Sequence, residues 1–226
     1  MPALQTLDRG LRALEFISTH PSGTTLSAVA EHLEVHRTIA HRIVQTLEAH
    51  DLVARGDGGR LRLGAAIGPL SRRFAPQLMG AGRPVLADLA SRVQATTYLS
   101  VAEGEECVVV MAHEAGDQAL RVTYQEGGRH SLHRGAAGLA ILAARPASPD
   151  DPDDVRAARR LGYSLTRNQL QPGAIGVGVG LGDLAALRDA GIEASIGVVA
   201  LGDLDVEAAA LETLAAAERL RGAIGP

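Results

Sequence analysis

Polar side chains recur at helical spacing between residues 37 and 45, and their chemistry suits DNA. In the run VHRTIAHRIVQTLEAHDLV (35–53), a helix would turn one apolar stripe toward a core. Thr38, His41, Arg42 and Gln45 share the opposite face, which has no acidic residue, and Arg37 starts the helix. An arginine fork and an amide can bond base edges in the major groove, and a helix start can hold a phosphate. The pattern predicts a DNA-reading helix; an ordinary solvated face is the alternative for this helix taken alone.

Three arginines of a short predicted hairpin could bind the DNA backbone. LVAR (52–55) and RLRL (60–63) are alternating runs around the turn GDGG, which is typical of a β-hairpin. The hairpin carries one acid, Asp57, and three arginines, Arg55, Arg60 and Arg62. We predict that these arginines contact phosphates, so that replacing Arg60 weakens binding to all DNA sequences similarly. A charged, exposed hairpin without a ligand is the alternative.

The residues before these two segments predict the scaffold that positions them. Apolar residues recur at helical spacing from Leu4 to Ile17, which predicts a first helix ending near Thr19. A short second helix follows the break PSG (21–23), and Ser27 is its expected N-cap. Three helices and a hairpin in about sixty residues are typical of a winged helix-turn-helix, whose third helix enters the major groove.

The rest of the chain predicts a second domain. Residues 64–83 form a connector, helical in part, that Pro69 and Pro76 would kink or cut. Strands are predicted in TTYLSVAEGEECVVVMAHE, LRVTYQ, YSLTR, AIGVGV and ASIGVVAL. Helices are predicted in PVLADLASRV, HRGAAGLAILAA and AAALETLAAAERLRG, with another after the polar break 145–154. A sheet flanked by helices is an α+β sensor-type domain, so we divide the chain into 1–63, 64–83 and 84–226.

Charge and composition localise DNA binding and argue against several kinds of site. Net charge is −4, yet residues 1–73 hold 9 Arg against 7 acids, and the remainder holds 13 Arg against 19 acids. The single cysteine, Cys107, is expected on a buried strand, and it excludes an intrachain disulfide. The sequence has no nucleophile elbow or P-loop and no membrane-spanning run. We therefore expect no catalytic residue, no metal ion and no cofactor, and a cytoplasmic protein.

Over nearly its whole length the chain resembles an IclR-family transcriptional regulator. LDRGLRALEFIS resembles the family's opening helix, and LSAVAEHLEVHRTIAHRIVQTLEAHDLVAR followed by GRLRLG resembles its helix-turn-helix and wing. RPVLADLASRVQATTYLSV, SLHRGAAGLAILA and GYSLTRNQLQPGAIGV resemble segments of its effector-binding domain. The resemblance implies an α+β protein with a winged-helix head, a linker helix and a GAF-like domain. It also implies dimers or tetramers whose DNA affinity a small molecule modulates.

The resemblance also indicates where an effector would bind. Family members that take small carboxylates carry polar groups where this chain has Gly176, Gly197 and Val199, so we expect an uncharged or aromatic effector. The small-residue turn before the helix at 139 could bind it through backbone N–H groups. The candidate effector-binding residues are Gly135, Ala136, Ala137, Gly138, Asn168, Gly176, Gly197 and Val199.

These observations favour a homodimeric or tetrameric DNA-binding regulator on a near-palindromic site. Two alternatives stay open. One is a small-molecule-binding or enzymatic protein whose head no longer binds DNA. The other is a constitutive DNA binder whose pocket holds nothing.

Overall fold

The computed structural model describes residues 4–114 and 125–225, and the chain forms two compact units that divide between Phe74 and Ala75. Apart from Gln125, the strand predicted in LRVTYQ lies outside the described residues. No helix in the described part of the chain is long and apolar enough to cross a membrane.

The first unit is built on three helices, α1 (Gln5–Ser18), α2 (Leu26–His32) and α3 (Arg37–Ala49). Their apolar faces meet in one core that includes Ile17, Val29 and Val44. The expected N-cap Ser27 is wrong, because the Thr25 hydroxyl accepts the Ala28 N–H at 3.1 Å and the helix has already begun at Leu26.

The predicted hairpin is confirmed as strands β1 (Val53–Arg55) and β2 (Leu61–Leu63). Gly58 and Gly59 turn the chain with φ of 66° and 73°, a conformation that disfavours residues with a Cβ. Two backbone hydrogen bonds pair Thr24 with Leu61, so the hairpin is tied to the segment just before α2. The first unit is therefore a winged helix-turn-helix with its wing fixed at one edge.

The connector is cut before Pro76, as predicted, whereas Pro69 does not interrupt its helix. Helix α4 (Ile67–Arg73) contains Pro69 in its first turn, where a missing N–H costs nothing. Ala75 has φ of 39°, and α5 (Pro76–Val93) then begins with Pro76. Because α5 runs unbroken through Pro84, the boundary expected between residues 83 and 84 falls inside a helix.

The second unit contains an antiparallel sheet of six strands in the order β5-β4-β3-β8-β7-β6. The strands are β3 (Thr96–Glu103), β4 (Glu106–His113), β5 (Arg129–Ser131), β6 (Ser164–Arg167), β7 (Ala174–Gly180) and β8 (Ala194–Leu201). The remaining helices are α6 (Gly135–Ala144), α7 (Asp153–Leu161), α8 (Ala185–Asp189) and α9 (Val206–Ile224). Helices α5 and α9 pack on one face of the sheet and form one hydrophobic core with it. Helices α6 and α7 pack on the other face and form a second core. Cys107, fully buried on β4, lies in the α6 core, which confirms its expected place.

Candidate nucleic-acid interface and effector cavity

The outer face of α3 carries all five of its side chains that were predicted to contact DNA. Its inner face is buried through Ala40, Ile43, Val44 and Leu47. The five exposed side chains are those of Arg37, Thr38, His41, Arg42 and Gln45. Within the described residues, the side chains of Arg37, Arg42 and Gln45 have no hydrogen bond or ion pair, so their donors are available to a ligand.

The start of α3 has a cap that the sequence did not reveal. His36 is the N-cap: its Nδ1 accepts the Thr38 N–H at 3.4 Å and lies 2.7 Å from the Thr38 hydroxyl. Imidazole is an uncommon cap, and Ser, Thr, Asp and Asn are the residues that signal one. The contact holds the Thr38 hydroxyl at the helix start, beside the backbone N–H groups that α3 leaves unpaired.

The three wing arginines differ in the contacts that their side chains make within the protein. Arg55 pairs with Glu48 of α3, with Nε 2.8 Å from Oε1. Arg60 donates from Nη1 to the Gly23 carbonyl at 2.8 Å. For Arg62 the described residues provide no side-chain partner. All three line an open groove between the wing and residues 21–23, with Asp57 as the acid among its lining residues. The groove is therefore electropositive and suited to an anion.

A cavity of about 280 Å³ opens beside α6 on its face of the sheet. Three candidate effector residues, Ala136, Gly176 and Val199, line it. Gly176 serves the cavity by its size, since a Cβ there would lie 3.2 Å from both the Ala136 methyl and the Thr166 hydroxyl. The remaining lining residues are Tyr98, Val109, Gln125, Gly128, Arg129, His130, Thr166, Gln169, Leu170, Gln171 and Ala174.

The other candidate effector residues do not line this cavity. Ala137 is fully buried, and a Cβ on Gly138 would overlap the Leu132 carbonyl, so both pack α6 onto the core. Gly197 lies beneath the Tyr98 ring. It makes room for a side chain rather than for a ligand.

Two further candidates, Asn168 and Gly135, lie next to residues that line the cavity but do not line it themselves. Asn168, at φ of 59°, accepts the Gly173 N–H with its side chain at 2.7 Å and closes a turn. Gly135 begins α6 and lies beneath Leu170.

The polar lining was missed, and it changes the character of the cavity. Arg129 lies at the rim, where Glu106 and then Glu103 hold the pKa of its guanidinium above the usual range. Thr166 brings a hydroxyl from β6 and Gln169 an amide from the following loop. A period-two pattern indicates which strand residues share a face, but it gave no sign of which residues the loops would add.

Two family models match this chain. A model of the IclR helix-turn-helix domain matches residues 6–57, and a model of the C-terminal domain of bacterial IclR transcriptional regulators matches residues 76–151. Together they cover more than half of the chain.

One curated relative and two solved structures illustrate the likeness. The HTH-type transcriptional regulator TtgV of Pseudomonas putida is 29% identical over 140 residues, 62% of this chain and 54% of that protein. The chain thus spans about half the length of the curated relatives it matches. The crystal structure of Pseudomonas aeruginosa HmgR gives a TM-score of 0.75 at 20% identity, covering 99% of this chain and 100% of the other. An IclR homolog from Microbacterium hydrocarbonoxydans, complexed with 4-hydroxybenzoate, gives 0.74 at 23% identity, covering 97% and 98%. At these identities the solved structures establish the fold.

Proposed function

The chain belongs to the IclR family of transcriptional regulators, and on that premise we propose that it binds duplex DNA through α3 and the wing and that a small molecule in the α6 cavity changes its DNA affinity. The observation that carries the proposal is the outer face of α3, where five polar side chains lie exposed over a fully apolar inner face. We assign no catalytic role to any residue.

The DNA-binding residues divide into two roles. Arg42 and Gln45 lie a turn or more into α3 and have the fork and amide geometry that suits base edges, with His41 beside them. Arg37 and Thr38 at the helix start, and Arg55, Arg60 and Arg62 on the wing, suit phosphates. Affinity then comes chiefly from arginine–phosphate contacts and sequence choice from α3.

Pairing of two heads on a near-palindromic operator follows from the small size of one head. A single reading helix and wing bury too little surface for tight operator binding. Helix α1 supports pairing, because Leu4, Leu7 and Leu11 are 76%, 59% and 52% exposed along one side of it. We propose that α1 and the connector join the heads of a homodimer or tetramer.

The cavity beside α6 supports a small-molecule effector. Its volume approaches that of small ligand sites, and its floor is formed by apolar residues such as Val109, Ala174 and Val199. We propose an uncharged or aromatic compound. Such a ligand can alter DNA affinity only if it binds two arrangements of the protein with different affinity.

A DNA titration at several salt concentrations tests the proposal. Fluorescence anisotropy with duplexes from the DNA flanking the protein's own gene should show salt-dependent binding that is tighter than binding to a scrambled duplex. Arg42→Ala with Gln45→Ala should remove that preference. Equal affinity for both duplexes, or no binding at low salt, would refute operator recognition.

A further inference from the structure

The first N–H group of α6 lies next to residues that line the cavity, and a side chain of this protein already binds it. The Gly135 N–H, the first of α6, donates to Gln169 Oε1 at 2.8 Å. Free N–H groups at a helix start are a ready site for a carboxylate. In this protein an uncharged amide oxygen occupies that position, and Gln169 is itself part of the cavity lining.

Several contacts fix Gln169 in this orientation. Its Nε2 donates to Asp154 Oδ2 at 3.4 Å, so the amide oxygen is the atom that faces Gly135. Arg134 donates to the Gln169 backbone carbonyl. The Asn168 side chain closes the loop onto the Gly173 N–H, and Leu170 packs close over Gly135. Gln169 is therefore held by its own loop and by α7, independently of any ligand.

Arg129, which lines the cavity, already forms ion pairs within the protein. Arg129 donates from Nε to Glu106 at 2.8 Å and from Nη1 to Glu103 at 3.1 Å. It is the single arginine among the described lining residues, and the sequence contains no lysine. A carboxylate ligand would lose its water without gaining either the Gly135 N–H or an unpaired guanidinium from these residues.

A neutral hydrogen-bonding group is available inside the cavity. Thr166 is 7% exposed and lines the cavity, and no described residue provides a partner for its hydroxyl. The hydroxyl is thus open to a partner from within the cavity. A ligand hydroxyl or amide would supply one, while the apolar residues nearby would hold a ring.

We propose that Gln169 is a specificity-determining residue: by accepting the Gly135 N–H at the N-terminus of α6 it makes the cavity select uncharged aromatic ligands with a hydroxyl or amide group over carboxylates of the same shape. This inference rests on the proposed function, in which the same cavity receives the effector.

Two compounds of nearly equal shape test the selectivity, namely 4-hydroxybenzamide and 4-hydroxybenzoate. Calorimetric titration of the full chain at pH 7 should show the amide binding at least about tenfold more tightly, the scale of a charge-assisted hydrogen bond that the acid cannot regain. Gln169→Ala frees the Gly135 N–H, so the benzoate should gain about tenfold or more while the amide changes little.

Two further variants separate the roles of the lining residues. Gln171→Ala removes another lining amide that does not cap α6, and it should shift both affinities in parallel and keep their ratio. Thr166→Val keeps the shape of the side chain and should weaken the amide about fivefold, as expected for one neutral hydrogen bond. Thermal melts establish that each variant is folded.

The outcomes are distinct. Wild-type protein that prefers the benzoate, binds both compounds equally or binds neither overturns the inference. So does a Gln169→Ala variant with an unchanged ratio. Anisotropy on the same preparations tests DNA binding separately, so loss of the operator proposal with an intact amide preference would be recognised as such.

Discussion

Arg55 of the wing and Glu48 of α3 form a salt bridge, with Arg55 Nε 2.8 Å from Glu48 Oε1 and the two side chains 37% and 25% exposed. The pair joins β1 to the last turns of α3. It also places a carboxylate beside an arginine proposed to meet a phosphate. At this exposure the salt bridge contributes on the order of 1 kcal/mol or less to the free energy of unfolding. Its main effects are to offset the charge of Arg55 and to fix the position of its guanidinium.

Removing that carboxylate should tighten DNA binding. Glu48→Gln releases Arg55 and deletes a negative charge near DNA, so affinity should rise for all sequences and the salt dependence should steepen by about one phosphate contact. Anisotropy at several salt concentrations measures both. Glu15→Gln on α1 removes the same charge from another helix and should change little. Weaker binding by Glu48→Gln would show that holding the wing matters more than its charge.

Replacement of Arg60 and replacement of Arg62 should have different effects on the free energy of unfolding. Arg60→Ala and Arg62→Ala should each weaken binding to all sequences similarly and lower the salt slope by about one phosphate. Arg60→Ala also loses the hydrogen bond to the Gly23 carbonyl, and it should cost about 0.5–1.5 kcal/mol in the free energy of unfolding. Urea denaturation measures that cost. A loss of binding confined to one operator sequence would contradict the phosphate assignment.

Arg42 and Gln45, which we propose contact base edges, should affect discrimination between DNA sequences more than overall affinity. Arg42→Ala or Gln45→Ala should reduce the preference for operator over scrambled DNA by about 1–3 kcal/mol. Arg37→Ala, at the helix start, should weaken both duplexes to a similar degree. Competition titrations with single-base-pair variants of the operator would locate the base that each side chain reads. A uniform loss for Arg42→Ala would place it on the backbone instead.

Gly197 should be intolerant of even one methyl group. A Cβ there would overlap the Tyr98 hydroxyl and the Val177 carbonyl, the pair joined by a hydrogen bond of 3.2 Å. Gly197→Ala should therefore lower the free energy of unfolding by about 1–3 kcal/mol. Gly222→Ala, at an exposed position of α9 where a Cβ meets nothing within 4 Å, is the matched control and should stabilise by about 0.5–1 kcal/mol. Equal denaturation curves for the two variants would refute this packing.

Cys107 should be chemically silent in the folded protein. Burial raises the pKa of its thiol to about 11, so the reactive thiolate is scarce at pH 8 and the sulfur is inaccessible. Iodoacetamide should label it only after denaturation. Because the unfolded thiol ionises near pH 9 while the folded thiol stays protonated, stability should fall as the pH rises from about 9 to 11. Rapid labelling of folded protein at pH 8 would contradict this burial.

The fold was predictable where the signal is local. The stripe of α3, the GDGG hairpin and the break at Pro76 all depend on neighbours within a few residues, and the structure confirms each of them. The N-cap of α2 was mispredicted because Thr25 and Ser27 are both good caps, and only the backbone conformation of the helix start distinguishes them.

The lining of the cavity beside α6 was predictable in part. Family resemblance indicated Gly176 and Val199, and the small-residue turn indicated Ala136; all three line the cavity. The resemblance gave Gly197 the same role, although that glycine serves the Tyr98 ring, because absence of a side chain does not indicate which group uses the space.

The sequence by itself determined the three helices and the hairpin of the first unit and the exposed chemistry of α3, because hydrophobic periodicity and turn residues act over short stretches of chain. Its motifs also indicated the family by resemblance. Only the tertiary structure decided which donors stay available. Arg55 bonds Glu48, which lies 7 residues away in the sequence, and Arg60 bonds Gly23, 37 residues away. The Gly135 N–H bonds Gln169, 34 residues away. A hydrogen bond depends on atoms within about 3 Å in space, and no spacing along the chain specifies which distant residue will supply them.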